Sequence, residues 1–160
     1  VPLFVKLPRR ERAGTSIAHW VESVDVMPTL LGLSKLKIPE GVQGVDLFRG
    51  KQQTFAEESH EGNVLKSTRV SEAGQQWKVI SANAGNPRGL KARELFRIDS
   101  DPKEQRDLSE QEQPVLARRE HDLETASQTA RTGALKAREV DVSMDQAAQE
   151  RLKALGYANE

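Results

Sequence analysis

The 160-residue sequence contains no cysteine. This excludes a disulfide scaffold, thiolate zinc sites, Cys-bound iron–sulfur clusters and thiol catalysis. It leaves the compartment open, because an exported protein need not contain cystines. Aromatic residues are scarce at 4%, too few for the stacking platform that single-stranded nucleic acid requires. No sign of charge dominates: 24 basic and 24 acidic side chains cancel, unlike a basic nucleic-acid binder or a disordered polyelectrolyte. No run approaches roughly 18 apolar residues, so no membrane-spanning helix is expected. The sequence shows no start Met, basic leader or small-residue cleavage pattern. Neither a dinucleotide-binding Gly-x-Gly-x-x-Gly nor a phosphate-binding loop occurs. His19, His60 and His121 lie far apart and form no His-x-x-x-His pair of the kind that binds zinc.

What remains is a mixed α/β chain. Val1–Leu7 is apolar with one Lys and no clean alternation, which predicts a strand covered on both faces and torn from a larger sheet. Residues 24–34 predict a helix, with Ser23 or Asp25 as N-cap and Pro28 in the first turn, where its missing N–H costs nothing. Pro39, Gly41 and Gly44 make residues 37–48 an irregular loop fastened by apolar plugs. Four short strands follow, over 53–57, 64–70, 76–80 and 93–98, joined by turn residues. An antiparallel meander is the simplest arrangement of them. Its core face is expected from Phe55, Leu65, Trp77, Val79, Leu95 and Phe96. So thin a face calls for a covering helix. That helix starts either from a Ser109–Glu112 capping box or with Pro114 at its first position, and runs to about Thr125. Residues 126–142 read as a linker or weak helix. Ser143–Leu155 reads as a capped amphipathic helix stopped by Gly156, with Tyr157 just beyond.

Candidate chemistry is sparse. Glu57-Glu58-Ser59-His60-Glu61 is the densest cluster, and nothing else in the sequence converges on it, so it reads as a solvated strand end. Asp25 reads as a helix cap in preference to a metal ligand. Asp99-Ser100-Asp101 lacks the glycine and later Glu of a calcium loop and reads as a turn. Trp77 reads as core, not as a platform shared with Lys78. Arg9, Arg10 and Arg12 read as a solvated basic patch. No residue is assigned a catalytic, cofactor-binding or metal-binding role.

The order of the pieces adds what the chemistry does not. Val1–Pro8, Val21–Leu33 and Ile38–Leu47 closely resemble the later part of the sulfatase family, in the alkaline-phosphatase-like superfamily of hydrolases. The resemblance continues in Ser67-Thr68-Arg69-Val70, in Trp77-Lys78-Val79-Ile80 and in Glu94-Leu95-Phe96. Asp101-Pro102-Lys103-Glu104 with Leu108 extends it, and the ending Glu150–Tyr157 resembles a tail common among bacterial sulfatases. It implies that residues 1–50 are the last strand and helix of a large α/β domain. Residues 51–125 would be the small C-terminal lobe, a four-stranded antiparallel sheet with a packed helix, and 126–160 a linker and terminal amphipathic helix. It implies a parent sulfuric ester hydrolase acting on a small-molecule or glycan sulfate ester, with a formylglycine nucleophile and calcium. No Cys/Ser-x-Pro-x-Arg motif is present, so this chain would be noncatalytic alone and its partner would be the missing N-terminal catalytic portion. Its role would be to support the catalytic domain and line its substrate side. Localisation stays unassigned: the resemblance favours a bacterial periplasmic or secreted setting, with a cytoplasmic one open. Two alternatives stand beside it: a fragment of a related phosphodiesterase or phosphotransferase with a Ser or Thr nucleophile, and a noncatalytic interaction module.

Overall fold

A computed structural model describes residues 2–133 together with Ala147, Glu150, Arg151 and Ala154. The helix expected over 143–155 lies largely outside the described residues. The four expected strands form as β1 (Gln53–His60), β2 (Asn63–Glu72), β3 (Gln75–Ala82) and β4 (Arg93–Arg97). They pair antiparallel in the order β1-β2-β3-β4.

Two-residue turns set the register. Glu61 (φ 48°) and Gly62 (φ 76°) join β1 to β2, and Ala73 (φ 49°) and Gly74 (φ 77°) join β2 to β3. Two successive left-handed residues give the turn whose twist matches a hairpin, for which Asn-Gly is the preferred pair. Ala at the first position carries part of the left-handed penalty that Asn largely escapes. Ala73→Asn is therefore expected to stabilise by about 0.5–1 kcal/mol and raise the thermal midpoint by a few degrees, as differential scanning calorimetry would read.

Alternation sends Phe55, Thr68, Trp77, Val79 and Leu95 to one face, since these residues pair across the ladders. Helix α2 (Gln113–Thr132) covers that face, with Pro114 in its first turn. Its buried Leu116, Arg119, Leu123 and Ser127 recur at helical spacing, and Trp77, Val79, Leu95, Leu116 and Leu123 form the core. Leu65 and Phe96 correct the expected face, although Phe96 is buried as expected. Leu65 pairs with Ala82 and Phe96 with Lys78, so both belong to the opposite face. The helix also outlasts its expected end near Thr125. Ser127 is buried, and its hydroxyl oxygen accepts from the Lys66 ammonium at 2.7 Å. This polar anchor gives the last turns a reason to stay on the sheet that an apolar stripe does not show.

The N-terminal part is built differently. A short 3-10 turn, Ser23–Asp25, leads into α1 (Val26–Leu33), with Pro28 in its first turn as expected. The cap is Glu22, whose own N–H donates to Asp25 Oδ2 at 2.8 Å in a reciprocal box. Of the two residues predicted as N-cap, Asp25 stands at that position of α1 but makes no side-chain capping bond there, its carboxylate being turned to Glu22, Val45 and Lys51. The strand expected at Val1–Leu7 is not formed among the described residues. Residues 2–7 make no ladder: the sheet consists of β1 to β4 paired with one another, and residues 2–7 join neither of its edges. Leu7 is buried, but Phe4 is 91% exposed and Leu3, Met27, Leu30 and Leu33 are also open to solvent. Among the described residues no helix is long and apolar enough to cross a membrane.

Candidate functional site

Two polar junctions, one buried and one partly exposed, shape the surface where the N-terminal part meets the sheet. At the first, Asp25 is almost completely buried. Its Oδ1 accepts the Val45 N–H at 2.8 Å and meets the Lys51 ammonium at 2.7 Å. Lys51 also donates to Glu22 Oε2, and Glu22 Oε1 accepts the Phe55 N–H at 2.6 Å. Burial works against the Lys51 charge, but hydrogen bonds to Asp25 and Glu22 outweigh it and raise its pKa. Thr29 extends the junction, accepting the Leu47 N–H at 2.8 Å while donating to the Asp25 carbonyl. Gly44 lets the loop come this close: a Cβ there would sit 2.3 Å from the Val24 carbonyl oxygen, at φ +93°. The outcome is a rigid bracket holding Trp20–Glu22 against β1, with Trp20 and Lys51 bridged by a single ladder step.

Between that bracket and the sheet face turned away from α2 lies a cleft of about 470 Å³, lined by residues including Trp20, Glu22, Thr54, Ser67, Arg69 and Lys78. Thr54, Arg69 and Lys78 stand in one row across three strands, and Ser67 in the next. The second junction supplies their counter-charge: Lys78 meets Glu104 Oε2 at 2.5 Å, and the Arg69 guanidinium lies 4.0 Å from Glu104 Oε1. A further cavity of about 380 Å³, between α2 and the sheet, includes Lys66, Arg93 and Glu120 in its walls. There Arg93 is paired to Glu120 at 2.7 Å, and Lys66 donates to Ser127.

Glu104 is placed by a loop whose aspartates hold backbone. Asp99 accepts the Gln76 N–H at 3.0 Å and Asp101 the Arg106 N–H at 2.8 Å, and these bonds hold both carboxyls below their ordinary pKa. Burial opposes ionisation of Asp107. The Lys91 ammonium at 2.7 Å and the N–H groups of Ser109 and Leu95 outweigh it and hold its pKa down to about 2. An unfolded Asp titrates near pH 3.9, so this stabilisation is full above about pH 4 and is lost as pH falls toward 2. Asp107→Asn should cost about 1–2 kcal/mol at neutral pH, allowing for solvent around Lys91. It should also flatten the acid limb of stability, which urea unfolding over that pH range would read.

The residues singled out from sequence do not converge. Along β1, Glu57 and Ser59 alternate in face with Glu58 and His60. Glu58 is held by a two-pronged bond from Arg88, at 2.7 and 3.2 Å, while His60 is exposed beside Glu61. His19 is used on the Leu47 carbonyl oxygen at 2.7 Å, and His121 is exposed on α2. Arg12 lies over the Phe48 ring at 4.5 Å, and Arg9 reaches only Glu11. Among the described residues no three His, Cys, Asp or Glu are grouped so as to hold a metal ion. The cleft itself escapes sequence reasoning, except that Glu104 sits in the quoted Asp-Pro-x-Glu run and Lys78 follows Trp77.

No family model matches the chain. An ulvan-active sulfatase of Formosa agariphila is 40% identical over 48 residues, 29% of this chain and 9% of that protein. The solved chain of Ps i-CgsB superimposes with a TM-score of 0.57 at 20% identity, over 76% of this chain and 27% of its own. A looser superposition, TM-score 0.48 at 20% identity, covers 67% of this chain and 24% of yidJ from Bacteroides fragilis, provisionally assigned as a sulfatase. The chain thus matches under a third of each of these proteins. The chain is similar in sequence to a sulfatase over 48 residues, and in fold, with its antiparallel sheet and packed helix, to part of the solved chain of Ps i-CgsB.

Proposed function

We propose that this chain is the C-terminal part of a sulfuric ester hydrolase, serving as scaffold and substrate-side lobe for a catalytic portion that it does not contain. The observation that carries the reading is the 40% identity to a sulfatase over 48 residues. The exposed apolar side of α1 and of residues 3–5 supports it, since such surface in a larger protein would be covered. In this reading residues 1–50 close the large α/β domain, 51–125 form the small lobe, and the substrate is a sulfated glycan or smaller sulfate ester. A sulfatase of this type would use formylglycine with calcium. Neither fits the residues present: the sequence has no Cys/Ser-x-Pro-x-Arg motif, and the described residues group no metal ligands. Both would belong to the portion preceding this chain.

Purified 160-residue chain should hydrolyse an aryl sulfate only at background, with or without calcium, because nothing here supplies an activated nucleophile. The coding sequence ahead of Val1 should contain the nucleophile motif, and the protein it encodes should release sulfate. A preceding sequence without that motif would sink the proposal. Cleavage of an aryl phosphate in place of the sulfate would assign the related phosphoesterase chemistry.

A further inference from the structure

We infer that the cavity between α2 and the sheet binds a small zwitterion, an α-amino acid with an aliphatic side chain, held by Lys66 and Glu124. This binding needs no hydrolytic step in the chain or in a larger protein containing it. At the cleft beside Trp20 the charges cancel where they stand: Lys51 is paired with Asp25 and Glu22, and Glu104 faces Arg69 and Lys78. The cavity of about 380 Å³ differs. Four charged residues line it, Lys66, Arg93, Glu120 and Glu124. Arg93 and Glu120 are paired with each other at 2.7 Å, which leaves one cation and one anion. Among the described residues neither of these two forms a salt bridge. The half-buried Lys66 ammonium donates to the Ser127 hydroxyl at 2.7 Å, and one Glu124 oxygen accepts from the Gln128 amide at 2.9 Å, so both partners are neutral. Glu57, the neighbour of Lys66 across the ladder, is exposed and forms no ion pair with it.

Helix α2 sets the spacing of the two charges. Glu124 and Ser127 are three residues apart, so their side chains are neighbours on one side of the helix, with Cβ atoms about 5–6 Å apart. Lys66 rests on Ser127, so its ammonium and the Glu124 carboxylate stand close together in the cavity wall without pairing. An α-amino acid carries a carboxylate and an ammonium on one carbon, and such a molecule bridges the gap. Its carboxylate takes the two donors left on Lys66, and its ammonium the open oxygen of Glu124. A lone anion would meet the Glu124 charge, and a lone cation that of Lys66. Val64, Ala82 and Leu123 give the same cavity an apolar wall for the side chain. Its volume lies within the range of small-molecule sites.

The test is an NMR titration of the isotope-labelled full chain with unlabelled L-leucine, reading the Leu123 methyl groups and the Lys66 side chain. The Trp77 indole N–H, bonded to Gln75 and outside the cavity wall, serves as the internal control. Leucine should move both reporters saturably and leave Trp77 still. Isoamylamine, which is leucine without its carboxylate, and isocaproate, which is leucine without its ammonium, should each bind at least about threefold more weakly, the worth of one partly exposed ion pair. Glu124 is exposed, so Glu124→Gln should keep the fold. It should weaken leucine by about threefold and leave isocaproate no weaker than before. Lys66→Met, which keeps the apolar stem without the charge, should weaken leucine and spare isoamylamine. No saturation of the Leu123 shift below about 30 mM leucine would overturn the inference. So would either half-molecule binding as tightly as leucine, or a Glu124→Gln chain that binds leucine as the parent does.

Discussion

Replacing Trp77 by Ala is expected to abolish cooperative unfolding of the sheet and α2. Trp77 is 6% exposed and stands in the core among Val79, Leu95, Leu116 and Leu123. Few other large side chains are available there: Phe55, Leu108 and Val115 only border the cluster. Truncating a buried aromatic leaves a cavity and typically costs about 3–5 kcal/mol. Small domains hold total stabilities near the low end of roughly 5–15 kcal/mol, so one such cavity takes most of the margin. Thermal unfolding followed by circular dichroism should lose its sigmoid, and a hydrophobic dye should bind before heating begins. Trp77→Phe, which keeps the ring inside, should retain the transition. A Trp77→Ala protein that melts like the parent would mean that α2 does not depend on this contact.

The second large effect lies at Asp25. Changing it to Ala strands the Lys51 ammonium with Glu22 alone and leaves the N–H groups of Val45 and Glu22 without their acceptor. Removing one member of a buried ion pair costs about 3–5 kcal/mol, chiefly because the remaining charge stays desolvated. The damage should be local. Amides of Val45 and Leu47 should lose protection from hydrogen exchange, whereas those of Thr68 and Val79, in the middle of the sheet, should keep theirs. Asp25→Asn should fall between, restoring an acceptor but no charge. Gly44→Ala should mimic the Ala variant from the other side of the contact, through its 2.3 Å clash with the Val24 carbonyl.

The small lobe was largely legible in the sequence, and the reasons are local. Turn residues at 61–62 and 73–74 divide runs of alternating side chains, and Pro114 marks a helix start by geometry alone. Trp77 in an aromatic-poor chain had one sensible place to go, the face under α2. The failures share the opposite character. Leu65 and Phe96 are apolar yet turn away from α2: Phe96 follows Leu95 directly in one strand, so only one of the two can face the helix, and the face of Leu65 is set by its pairing with Ala82. Val1–Leu7 carries strand composition, yet composition cannot supply the neighbour that a ladder requires. Helix α2 ran past its expected end because Ser127 is fixed by Lys66, 61 residues away. The cleft was missed for the same reason: Glu22 with Lys51 and Phe55, and Glu104 with Lys78, are partners brought together only by the tertiary fold.

The sheet order has a consequence for how the chain is made. Because β1 to β4 neighbour one another in sequence as they do in space, each hairpin closes over a short loop, on the microsecond scale typical of such events. The covering helix follows only later, and its far end is fastened to Gln43 across 86 residues. During synthesis the strands therefore leave the ribosome ready to pair while Leu116 and Leu123 have yet to emerge. At ordinary elongation rates the Trp77 face stays uncovered for about one to five seconds, far longer than a hairpin takes to form. That interval, and not the finished fold, is when a nascent chain of this design is most open to chaperone capture or to aggregation with its neighbours.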